Sequence, residues 1–266
     1  MRAALARELA RRTPAEADSD FRREIHLATQ NALANGVTTF QDMGESFATI
    51  DAIKKMVDEG DLPLRLYILV SQGEARPDDV DSLLAHRMID YGDGHLTVRG
   101  IGEITADGAL GSRSAWMLKP YDDDPTNTGL NVTKMPRIKQ IAEIGLAHDF
   151  QISVHAIGDR ANRETLDTYQ SVFEEHHVKS DTLRWRIEHA QHLNPSDIPR
   201  FAQMGVVASM QGIHACSDAP YVLPRRGMKR AEEGAYVWQT LWKTGAVVTN
   251  GTDVTVEESS PIASFH

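Results

Sequence analysis

Hydrophobic residues recur along the chain in one repeating arrangement: a stripe at three- and four-residue spacing, closed by glycine and followed by a short β-branched run. Glycine stops helices because it enters left-handed backbone geometry freely, and β-branched side chains suit a pleated strand. Phe21, Ile25, Ala28 and Ala32 predict a helix over 21–35, with Asp20 as N-cap and Gly36 as its stop, then a strand over 37–43. Helix 47–59 ends at Gly60 and leads through Pro63 into strand 64–71. A third helix begins after Pro77, sets Val80, Leu84 and Met88 four apart, ends near Gly92 and precedes strand 96–106. Pro136 opens a helix carrying Ile138, Ile141 and Leu146 ahead of strand 151–156. Leu166, Tyr169 and Phe173 mark a helix over 160–176 before strand 184–190. Asn194 and Pro195 start a short helix stopped by Gly205 ahead of strand 206–211, and a last helix over 231–244 stops at Gly245 before strand 246–250.

Strict helix–strand alternation implies a parallel sheet covered by helices, either doubly wound or closed as a (βα)8 barrel. No Gly-x-Gly-x-x-Gly follows an early strand, and Gly108 to Ser112 lacks the lysine of a phosphate loop, so nucleotide binding loses its main support. The one linker-like interior stretch is 119–134. Lysine and arginine number 28 against 38 acidic residues, a net charge of −10 that disfavours nucleic acid and anionic membranes as partners. No apolar run approaches the roughly 18 residues of a membrane span, no signal-like stretch opens the chain, and the single cysteine, Cys216, excludes an internal disulfide. A cytoplasmic protein is expected.

In a barrel, catalytic groups collect at the carboxyl ends of strands. Those ends here carry Asp42, Ser71, Glu103 with Asp107, His155, His189, Gln211 with His214, and Asp253. Two imidazoles and a carboxylate suit a borderline cation such as Zn²⁺. Taken singly, each histidine is more often a hydrogen-bonded core residue than a ligand, and Asp253 more commonly a turn residue. Their recurrence at one place in successive units is what predicts that His155, His189 and Asp253 converge.

The segments VTTFQDMG, ADGALGSRSAWMLKPYDDDPTNTGL, VHAIGDRAN, RIEHAQ, MQGIHACSDAPYV and NGTDVTVEESSPIASFH, in that order, resemble the motifs of amidohydrolase family 3 within the amidohydrolase superfamily. That group includes YtcJ-like metal-dependent hydrolases and N-substituted formamide deformylases. The resemblance implies a metal-binding (βα)8 barrel, a divalent metal, most readily zinc, and hydrolysis of C–N bonds in a small amide, formamide or cyclic imide. It assigns His155, His189, Glu103 and Asp253 as metal ligands, Asp253 also as the catalytic proton acceptor, and Asp107, Arg113, His214 and Asp218 as substrate-facing or supporting groups.

Two departures shape the expectation. The family's first-strand His-x-His occurs nowhere in this sequence, and Glu103 stands where many relatives carry a bridging lysine. The chain thus reads as truncated at both ends: a helical extension over 1–20, then a partial barrel over 21–266 with seven of eight strands and no β-sandwich. Its open edges invite pairing with another chain or a homo-oligomer. One ion rather than a bridged pair is expected, and the rival to a hydrolase is an impaired homologue acting as a scaffold or small-molecule binder.

Overall fold

The computed structural model describes residues 11–265; the helix expected for residues 1–10 lies outside them. Seven parallel strands curl into an open barrel. They pair in the order β1 (Thr39–Glu45), β2 (Arg65–Val70), β4 (Leu96–Thr105), β5 (Gln151–Ala156), β6 (Arg186–His189), β7 (Val207–Gln211) and β8 (Val248–Gly251). A short β3 (Met88–Asp90) adds to β4 in antiparallel sense, Met88 opposite Val98. Among the described residues, no strand pairs with the outer edges of β1 and β8.

Side chains alternate between the two faces of a strand, and here the faces differ sharply in chemistry. Ile68, Val98, Ile152, Val154, Ile187 and Ala208 are fully buried beneath the helices. Each of these isoleucines and valines stabilises the fold by about 1.5–3 kcal/mol. Trp185, just before β6, packs its ring 5.0 Å from Tyr169 and 4.9 Å from Phe173 of α5 (Asp159–Glu175). The inner face is polar. Ser153 Oγ and Arg186 Nε both donate to Glu188 Oε1 at 2.6 Å, and Arg186 also donates to Gln41 Oε1 of β1. A buried charge pair with its remaining valences satisfied is tolerated, and here it fixes the spacing of β1, β5 and β6.

Four helix expectations change, one of them the short helix before Gly205, which starts at Ile198 with Asp197 as its cap and not at Asn194 and Pro195. The first helix, α1, runs Pro14–Ala34, so Asp20 lies inside it; Thr13 is the cap, its hydroxyl accepting from Glu16 N while Glu16 accepts from Thr13 N. The third is only Val80–Ala85; Met88 lies instead in β3, and the backbone turns left-handed beyond it at Asp90, Gly92 and Asp93. The last is divided: α8 (Ala219–Gly234) kinks at Gly227, and α9 (Trp238–Lys243) follows a left-handed turn at Tyr236. The 119–134 stretch is packed rather than linker-like, with Tyr121 buried and donating to Ala115 O. Arg225 of α8 clamps the same excursion by donating to Leu110 O, Gly111 O and Asp123. No helix among the described residues is long and apolar enough to cross a membrane.

Candidate metal centre

Parallel register brings the candidate residues to one end of the sheet. Thr105 pairs with His155 across β4 and β5, and Ala156 pairs with His189 across β5 and β6. Glu103 is able to reach both histidines because the backbones around it pack unusually closely. A Cβ on Gly44 would fall 2.3 Å from Gly102 O, and one on Gly102 would fall 2.8 Å from Ser153 O. Glycine at both places is what lets the end of β1 and the middle of β5 close on β4.

Glu103 Oε1 lies 3.1 Å from His155 Nδ1 and 3.0 Å from His189 Nε2, and the two rings meet edge-on with centroids 4.5 Å apart. His189 Nδ1 donates to Gln211 Oε1 at 2.9 Å, an orientation consistent with the amide of Gln211 donating to Ser209 O. In the neutral ring, with Nδ1 protonated, Nε2 carries the lone pair. His214 Nδ1 accepts from Gln191 Nε2 at 3.0 Å, and its Nε2 lies 3.7 Å from Asp253 Oδ2.

Two groups result, each offering one ligand atom per residue with all atoms within 4.8 Å: Glu103, His155 and His189, and His189, His214 and Asp253. They share His189. The four expected ligands therefore do not form one cluster; Asp253 joins His214 beside the first group instead of meeting His155. His189 and Asp253 both hold left-handed backbone, at φ 72° and 53°. For residues with a Cβ that conformation costs on the order of 1–3 kcal/mol, a strain that collects at functional sites.

The carboxylates and imidazoles perturb one another strongly. Burial by itself raises the Glu103 carboxyl, but hydrogen bonds and charge from His155 and His189 outweigh it and hold the group well below the carboxylate range. Burial disfavours a charged His189, yet contact with Glu103 lifts it to about 9. Asp253 is raised, chiefly by burial, and His214 is lowered by burial and by the neighbouring His189. Among the described residues, His155 Nε2 and His214 Nε2 are buried with no hydrogen-bond partner. Two imidazoles with a carboxylate in each group fit a divalent cation. A cavity of about 800 Å³ opens beside them, walled by Gln41, Asp42, Glu103, Arg186, His189 and Asp253 among others.

The four residues assigned to substrate or support lie in different surroundings. His214 belongs to the second group. Asp107 is completely buried behind His155, away from the cavity wall. Arg113 is engaged with Asp123 through bonds of 3.1 and 2.9 Å, within the 106–134 excursion. Asp218 accepts from Tyr236 Oη at 2.6 Å and stands at the start of α8. Gln191, the anchor of the His214 imidazole, was not foreseen, nor were Arg186 and Glu188. The alternation Arg186-x-Glu188 places charges at period two on one strand face, which is the signal that a polar barrel interior leaves in sequence.

The sequence matches the pattern of the amidohydrolase family over residues 2–266. Protein LONG AFTER FAR-RED 3 of Arabidopsis thaliana is 33% identical over 257 residues, covering 94% of this chain and 44% of that protein. Putative amidohydrolase YtcJ of Bacillus subtilis is 30% identical over 207 residues, 76% of this chain and 38% of that protein. The crystal structure of an uncharacterized metal-dependent hydrolase from Pyrococcus furiosus superposes with a TM-score of 0.78 at 28% identity, over 93% of this chain and 49% of that one. The chain spans less than half the length of these relatives.

Proposed function

We propose, from the premise that this chain belongs to the amidohydrolase family, that it forms the metal-binding part of a metal-dependent hydrolase acting on C–N bonds of a small amide, formamide or cyclic imide. The observation that carries the reading is the meeting of Glu103, His155 and His189 from three separate strands at one end of the sheet. The ion is a single zinc or similar cation, held between Glu103, His155 and His189 or, through the same His189, with His214 and Asp253. When bound, such a cation polarises a carbonyl and acidifies water. The protein's own part is to take up the proton: Asp253, about one-third exposed at the cavity wall, receives it at Oδ2, the oxygen facing His214. Burial raises the Asp253 carboxyl, which makes it a better base than an ordinary aspartate. The partner is a small molecule entering the cavity, and the compartment is the cytoplasm, where Cys216 remains a free thiol.

The test is metal analysis of freshly purified protein combined with an assay on N-substituted formamides and small cyclic imides after zinc loading. About one ion per chain and hydrolysis lost in Asp253→Asn supports the reading. The rival reading is a small-molecule binder without turnover. Metal bound at full stoichiometry with no hydrolysis of any member of the panel would decide for that rival.

A further inference from the structure

Asp107 is the one expected site residue that the fold hides completely. Its carboxylate takes three backbone donors from two loops: Ile157 N to Oδ1 at 2.9 Å, and Gly158 N and Trp116 N to Oδ2 at 2.8 and 2.7 Å. No lysine or arginine is among them. Oδ1 also lies 3.6 Å from His155 Nε2, a buried nitrogen that nothing else partners. The other nitrogen of that ring, Nδ1, faces Glu103. A neutral imidazole that gives one nitrogen to a cation carries its hydrogen on the other, and what accepts that hydrogen fixes the ring.

We propose that Asp107 is a positioning residue: its carboxylate, 3.6 Å from His155 Nε2, favours the hydrogen on that nitrogen by its charge, so that His155 offers Nδ1 to the cation while His189, turned by Gln211, offers Nε2. This rests on the metal reading above. The two histidines therefore present opposite nitrogens, each set by a different partner. Asp107 also ties the orientation of His155 to the loops at Trp116 and Gly158. Those loops are in tight contact, since a Cβ on Gly158 would fall 2.1 Å from Trp116 O. A substrate-facing aspartate needs access to the cavity, which Asp107 does not have.

The direct test uses the unmodified chain, labelled with ¹⁵N-histidine and loaded with ¹¹³Cd²⁺, and reads metal–nitrogen coupling. Coupling to His155 Nδ1 and His189 Nε2 is expected. Coupling through His155 Nε2 would overturn the assignment and leave the metal site standing; no coupling to either histidine would overturn both. A second measurement takes Asp107→Asn and determines Co²⁺ affinity by chelator competition, with the cobalt absorption spectrum. A 10- to 100-fold weaker Kd with a changed spectrum is expected, the range typical for loss of a group that orients a metal ligand. A lower melting temperature with unchanged Co²⁺ affinity and spectrum would mean that Asp107 only holds the loops together, and would overturn the proposal.

Discussion

β6 and β8 both end in expected ligands, yet they lie in opposite surroundings. All four residues of β6 are buried, and the strand is paired on both sides. Three of the four residues of β8 are exposed, and among the described residues it is paired only with β7. His189 is therefore held by the packed centre of the sheet, whereas Asp253 extends from an edge. The lesson is that residues equivalent in sequence position can differ in how firmly the fold holds them, and that a cation would be anchored from the β4–β6 side.

The largest expected effect follows from His189 being common to both ligand groups. His189→Ala is expected to weaken Zn²⁺ binding by more than about 100-fold, and Asp253→Ala by about 10-fold, on the scale of changes at metal sites. Chelator competition measures both, and equal losses would break the contrast between centre and edge. In stability, Ile187→Ala in β6 removes a completely buried side chain and is expected to cost about 2–5 kcal/mol. Val248→Ala in β8, at a half-buried edge position, is expected to cost less than about 1.5 kcal/mol. Urea titrations compare them; similar shifts in midpoint would show that β8 is packed as tightly as β6.

A smaller effect sharpens the same contrast through pH. His192, three residues beyond β6, is fully buried, and burial together with the nearby Arg226 charge holds its imidazole well below its ordinary value. The folded state keeps it neutral while the unfolded chain protonates near 6.5, so the unfolded state binds more protons as pH falls through that value. Stability is then full above the unfolded value and declines below it, by at most about 1.4 kcal/mol per pH unit for one group. His192→Leu is expected to flatten the decline between pH 6.5 and 5, read from melting temperatures; an unchanged slope would assign the loss to other groups.

Most strands were legible because their signal is local. The apolar runs at 151–156 and 206–211 appear as β5 and β7 nearly to the residue, and Gly205 ends its helix in left-handed geometry as expected. The start of α1 was equally local, written in Thr13-Pro-Ala-Glu16, but Asp20 was the residue chosen. The third and last helices misled because an apolar spacing of four continues across Met88 and past Gly234 while the backbone turns away. Within the site, His155 and His189 were readable from their strand ends. The burial of Asp107 was not, because its backbone donors Ile157 and Gly158 come from the following strand–helix turn, about fifty residues on. Likewise Arg113 finds Asp123 only once the excursion has folded back on itself.

The most direct measurement is anomalous diffraction at the zinc edge from crystals of this chain grown with Zn²⁺. A single peak is expected, about 2.0–2.2 Å from a ring nitrogen of both His155 and His189, with Glu103 alongside. A peak bonded to His214 and Asp253 without His155, or a zinc ion found only at surface carboxylates, would contradict a cation anchored from the buried centre of the sheet.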